Sequence, residues 1–216
     1  MRLLIIRTLA IGLLSCMPLF IWLGWKAQRS SETPLNISPV SGTRSPTDPV
    51  RQLNLYDAGG EWTDQDSNPV NFKQFRGKPS LVGFIYTTCV DTCSLLTLQM
   101  KEVETWMPQE WQGRVQFLSV TIDPEEDTPE VLRKYAARFE ALSASWSFLT
   151  ASEDTIKALT SQFSFYFRKE GSAYIHSDML ALVDKNGNLT HQFWGVYPPE
   201  KVVDALKINL AQKITN

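Results

Sequence analysis

Apolar positions along this chain change their period several times, and each change predicts an element. Residues 80–87, Ser-Leu-Val-Gly-Phe-Ile-Tyr-Thr, form a nearly continuous apolar run after Lys78-Pro79, the pattern of a strand buried on both faces. Helical spacing takes over at residues 91–111, where Leu95, Leu98, Val103 and Trp106 supply the stripe expected to face the core. A second strand is predicted at 114–122, bounded by Gly113 and Pro124. Thr128-Pro129-Glu130 then opens a helix with a hydroxyl cap and a proline at its first position, and Val131, Leu132, Tyr135 and Phe139 give that helix an apolar side. Residues 146–149 suit a third strand, and Ser152-Glu-Asp-Thr155 starts a helix reaching residue 163. Two more strands, 179–183 and 189–194, flank Asp184-Lys-Asn-Gly187, a tight-turn signal because Asn and Gly accept positive φ. Pro198-Pro-Glu200 begins a last helix that runs to residue 212, and residues 53–70 add an early hairpin.

Strands alternating with helices, closed by a hairpin and a helix, predict an α/β domain with a thioredoxin-like fold: a central sheet with flanking helices. There is no internal repeat, heptad run or phosphate loop. The tryptophans at 106, 111, 146 and 194 read as core and edge packing.

The first 50 residues carry a different pattern. Arg2 and Arg7 precede residues 8–25, which hold no charged side chain and are just long enough to cross a bilayer as a helix. The apolar character continues past the core of an ordinary signal peptide and no small-x-small cleavage site follows, so residues 1–25 are expected to be a membrane anchor. Cys16 lies inside that run and reads as an inert thiol. Residues 26–50 are rich in Ser, Thr, Asn and Pro, with prolines at 34, 39, 46 and 49, and predict a flexible linker. Residues 51–216 are the right size for one domain with a full core. A short leader of this kind points to a single pass through a bacterial inner membrane, with the domain on the periplasmic side. The domain carries 16 basic against 21 acidic residues, a formal charge of −5, which does not suit nucleic acid.

Cys89 and Cys93 stand where the first core strand gives way to a helix. A thiol at a helix N-terminus feels the positive end of the backbone dipole, which favours the thiolate that binds soft metals and exchanges disulfides. The spacing alone leaves three readings open: a reactive pair, a structural disulfide, and two buried thiols. The chain has two histidines, His176 and His191. His191 falls within a hairpin strand and reads as structural or exposed. Met100 and Met179 sit in apolar patterns and are expected to pack. Asp123, at the carboxyl end of the second strand, stands where sites gather in open α/β sheets, although an Asp before Pro124 equally suits a turn.

Three stretches resemble the Sco/SenC family of copper-binding proteins that assist cytochrome c oxidase assembly. They are Phe84-Ile-Tyr-Thr-Thr-Cys-Val-Asp-Thr-Cys93, Val120-Thr-Ile-Asp-Pro-Glu-Glu-Asp-Thr-Pro-Glu130 and Tyr174-Ile-His-Ser177, within a likeness that covers residues 53–210. The resemblance implies a metallochaperone rather than an enzyme, with Cys89, Cys93 and His176 as copper ligands and Asp123 as a residue that orients His176 or biases the cysteines. It further implies Cu(I) or Cu(II) as the metal and the copper-bearing subunit of cytochrome c oxidase as partner, with other copper chaperones or thiol reductants in attendance. Two thiolates and an imidazole form a soft, low-coordinate set that suits Cu(I) and tolerates Cu(II). The family's cysteine loop usually reads Cys-Pro-x-x-Cys-Pro, whereas Val90 and Ser94 replace both prolines here. The alternative function is a thiol:disulfide reductase that keeps an oxidase subunit's copper-ligand cysteines reduced, which needs Cys89 and Cys93 but not His176. A peroxidase is disfavoured, because the threonine such enzymes place three residues before the reactive cysteine is Tyr86 here.

Overall fold

The structure is a computed structural model that describes residues 54–89, 92–171, 173–195 and 197–211, with backbone only for Thr92 and Cys93. The expected membrane anchor and linker lie outside the described residues. Among the described residues, no helix is long and apolar enough to cross a membrane.

Among the described residues, nine strands occur in chain order: β1 (Trp62–Asp64), β2 (Pro69–Val70), β3 (Ser80–Ile85), β4 (Gln116–Thr121), β5 (Trp146–Ala151), β6 (Phe167–Glu170), β7 (Ala173–His176), β8 (Met179–Val183) and β9 (Leu189–Trp194). Within the same described residues they are accompanied by the α-helices α1 (Thr92–Trp106), α2 (Pro129–Arg138), α3 (Glu153–Gln162) and α4 (Pro199–Ala211). Seven of these strands form one mixed sheet in the order β2-β1-β5-β4-β3-β8-β9, while β6 and β7, among the described residues, form a two-stranded sheet of their own. β3, β4 and β5 run parallel, and β8 lies antiparallel to β3 with Gly83 opposite Leu180. Every residue of β3, β4 and β8 is buried, as continuous apolar runs require of strands covered on both faces.

Local chemistry sets the element ends as the sequence predicts. Thr128 caps α2 by accepting from the Val131 N–H at 3.4 Å, and Ser152 caps α3 by accepting from Thr155 at 3.3 Å, each worth about 1 kcal/mol. In the β8–β9 turn the Asp184 carboxylate accepts from the N–H groups of Asn186 and Asn188 at 2.8 and 2.9 Å, and Gly187 takes φ +95. The expected early hairpin is β1–β2, whose first strand also pairs with β5.

The structure departs from expectation at four points. The core-facing stripe of α1 is Leu96, Met100 and Val103, continued by Met107 just past its end, while Leu95, Leu98 and Trp106 are 53, 46 and 56 % exposed. The predicted stripe was out of phase because leucines occupy both faces of the first turns, and composition then misleads. The helix also stops at Trp106, and a separate 3₁₀ turn follows at Gln109–Trp111. Trp146 is core, as expected, but Trp106 and Trp194 are largely exposed. Finally, β6–β7 was not foreseen: Phe167-Arg-Lys-Glu170 has little apolar content to mark it as a strand.

Candidate metal centre

The carboxyl ends of the parallel strands β3 and β4 lie side by side, with Ile85 opposite Thr121 and the Ile122 N–H donating to the Ile85 carbonyl at 2.8 Å. The loops that leave these two ends carry Cys89 and Asp123, the location at which open α/β sheets gather their sites. Because β8 runs antiparallel to β3 and starts beside its carboxyl end, the residues just before β8 are delivered to the same edge, and β7 ends there with His176.

Cys89 is buried, 8 % exposed, and its N–H donates to the Tyr86 carbonyl at 3.3 Å in a turn. The backbone of Cys93 falls in the first turn of α1. His176 presents the edge of its ring to Tyr86, with centroids 5.6 Å apart, and stacks near Phe165 at 6.2 Å. Tyr86, three residues before Cys89, is thus the meeting point of the cysteine loop and the histidine strand. The Nδ1 atom of His176 lies 2.9 Å from the Ser177 carbonyl oxygen and 3.5 Å from Asp178. A carbonyl can only accept, so Nδ1 carries the proton in the neutral ring and the lone pair resides on Nε2, the tautomer a metal-binding imidazole needs. The donor chemistry of these residues therefore fits a soft metal ion.

Asp123 is buried, 3 % exposed, and does not contact His176 in any described hydrogen bond. Its carboxylate accepts from the Tyr174 hydroxyl at 3.1 Å and lies 3.5 Å from Lys169 Nζ. Tyr174 shares a face of β7 with His176, and its ring packs on Tyr86 at 5.1 Å. Burial, the hydrogen bond to Asp123 and that carboxylate's charge push the Tyr174 hydroxyl up to about 12, so it stays a donor throughout the neutral range. Hydrogen bonding to Glu125, aided by the nearby Asp123 charge, raises the Lys169 ammonium, which remains charged. A cleft of about 380 Å³ opens beside this group, between Glu125, Lys157, Phe167 and Lys169.

Asp127 is a residue that sequence reasoning missed. It is fully buried, and its carboxylate accepts from Thr87 in the cysteine loop and from the Thr121 hydroxyl at the end of β4. Burial raises its carboxyl above the usual range against the opposing pull of those hydrogen bonds. Its signal was present within the 120–130 stretch, yet five acidic residues crowd that segment and only tertiary contact separates the buried ones from the exposed ones. Met100 and Met179 are fully buried packing residues, as expected. His191 bonds Thr190 at 3.1 Å and stacks on Phe193, in keeping with its structural reading.

A SCO1/SenC family model matches residues 52–211. The chain belongs to the SCO1/SenC family. It is 31 % identical over 182 residues to a SCO2-like protein of Rickettsia felis, covering 77 % of this chain and 86 % of that one. ScoI of Bradyrhizobium japonicum, solved with copper bound, superposes with a TM-score of 0.61 at 27 % identity, covering 70 % of this chain and 97 % of that chain. BsSco, a Sco-family cytochrome c oxidase assembly protein in which a disulfide switch was identified, superposes with a TM-score of 0.63 at 27 % identity, over 75 % of this chain and 97 % of its own. These likenesses bear out the α/β, thioredoxin-like architecture of this Sco protein.

Proposed function

We propose that this Sco protein is a membrane-tethered copper chaperone that binds copper through the Cys89 and Cys93 thiolates and the His176 imidazole and passes it to the copper-bearing subunit of cytochrome c oxidase. The observation that carries the reading is the convergence on Tyr86: the loop of Cys89 and the strand of His176, 87 positions apart, meet at one ring. Copper in a solved relative supports the choice of metal. A three-donor set leaves a coordination position for a ligand of the receiving protein, so transfer proceeds by ligand exchange. Exposed Leu95 and Leu98 follow Cys93 on α1, and exposed Ile175 and Trp194 flank the histidine end, a rim suited to contact with a protein partner. The basic N-terminus and the uncharged run at 8–25 support a single-pass anchor in a bacterial inner membrane with the domain on the periplasmic side.

Copper titration of the full chain in detergent tests this reading. The expected result is about one copper per chain, with sulfur-to-copper charge transfer in the Cu(II) form, and affinity at least ~10-fold weaker in Cys89→Ser, Cys93→Ser and His176→Ala. Unchanged stoichiometry and affinity in all three variants refutes it. A second reading, thiol:disulfide reduction of an oxidase subunit's cysteines, draws support from the disulfide switch identified in BsSco. Reductase activity that survives His176→Ala but is lost with either cysteine selects that reading.

A further inference from the structure

The two segments proposed to carry the ligands adjoin different sheets, and among the described residues no strand pairing holds them in register. A continuous chain of buried and partly buried hydrogen bonds does so instead. The Thr87 N–H lies 3.1 and 3.3 Å from the two carboxylate oxygens of Asp127, and the Thr87 hydroxyl donates to the same group. The Thr121 hydroxyl donates to the other side of that carboxylate and itself accepts from the Asp123 N–H at 2.9 Å. The Asp123 carboxylate then accepts from Tyr174, two residues before His176 on the same face of β7. The Asp127 N–H closes the intervening turn on the Asp123 carbonyl at 2.9 Å.

We infer that Asp127 is a positioning residue: its buried carboxylate fixes the loop that carries Cys89 and, through Thr121 and Asp123, ties that loop to the strand that carries His176. The inference rests on the copper-site reading for its functional meaning, but its geometry stands on the hydrogen bonds alone. In the structure all three partner groups donate to the two oxygens of this carboxyl group. Asparagine has one acceptor oxygen and an amide that can only donate, so either the Thr87 N–H loses an acceptor or a threonine hydroxyl must turn round to accept, and the present bonding pattern cannot be kept whole. Thr87 lies two residues before Cys89, so release of that anchor frees the turn that buries the thiol.

The test uses the reduced full chain in detergent, with iodoacetamide alkylation of Cys89 read from its own peptide by mass spectrometry. Copper affinity and the Cu(II) charge-transfer band are measured in parallel. Asp127→Asn is expected to alkylate at least ~5-fold faster, to bind copper ~10-fold or more weaker, and to shift or broaden the band. Thr87→Val, which keeps the backbone anchor and loses the hydroxyl, should move the same readouts in the same direction, and Thr87→Ser should restore them. Wild-type alkylation in folded Asp127→Asn overturns the inference. If that variant does not fold, wild-type alkylation in Thr87→Val overturns it. A wild-type chain that binds no copper refutes the copper reading, while the alkylation rates still decide the role of Asp127.

Discussion

Gly83→Ala probes the contact on which the cysteine helix rests. Gly83 sits in the middle of β3, opposite Ser119 on one neighbouring strand and Leu180 on the other. An added Cβ would lie 3.0 Å from Met100 Sδ, 3.2 Å from Leu180 Cδ2 and 3.4 Å from Leu96 Cδ2, against an ordinary carbon contact of about 3.5–4.0 Å. Met100 is fully buried, and its sulfur is held near the Ser119 hydroxyl, which in turn accepts from Trp146 Nε1 at 3.0 Å. Leu180 is pinned by its register. Relief must therefore come from lifting α1, which carries Met100, Leu96 and, at its first turn, Cys93. Overpacking of this kind costs about 1–3 kcal/mol, and replacing a strand glycine returns roughly 0.5–1 kcal/mol. The net loss is about 0.5–2 kcal/mol, or a fall in Tm of roughly 1–8 °C for a domain of this size. Thermal unfolding followed by circular dichroism reads the shift, and copper titration of the same sample should show weaker binding as Cys93 moves. A Tm equal to or above that of the wild type would show that the helix has room at this point and would refute the reasoning.

Gly187→Ala combines positive φ with a Cβ 2.6 Å from Tyr56 Cδ2, so a loss of roughly 2–4 kcal/mol is expected in denaturant unfolding; a loss below about 1 kcal/mol contradicts the turn geometry. Tyr174→Phe keeps the ring contact with Tyr86 but removes the donor to buried Asp123, so it should cost about 1–3 kcal/mol and weaken copper binding; wild-type values in both measurements contradict the proposed tie. Because burial raises the Asp127 carboxyl above 3.8, the folded chain keeps that proton to higher pH than the unfolded chain does. Stability from this group is fully present below about pH 4 and is lost as pH rises through the raised folded value. The stability advantage of wild type over Asp127→Asn should therefore shrink between pH 4 and pH 7 in urea unfolding, and an advantage that grows over that interval contradicts the direction.

The seven-stranded sheet was legible where strands are buried on both faces or bounded by turn residues, because runs such as 80–87 and the Asp184–Gly187 turn carry their own chemistry. The phase of α1 was not, since Leu95, Leu96 and Leu98 offer apolar side chains to two faces and only contact with β3 selects Leu96. The β6–β7 ribbon escaped for the opposite reason: its side chains are largely exposed, and strand pairing alone defines it. Cys89, His176 and Asp123 could be singled out by residue type and motif. The partners of Asp123 could not, because Tyr174 and Lys169 lie about 50 positions away and reach it only through the fold. Asp127 looked like one of several solvated acids until its burial set it apart.

The separate β6–β7 ribbon has a consequence for how such a site can be retuned. Its backbone ladder ends with itself, so lengthening the ribbon, shortening it or exchanging its outward side chains leaves every rung of the seven-stranded sheet intact. The imidazole rides on a detachable bracket, and evolution or an engineer can trim the bracket without touching the wall.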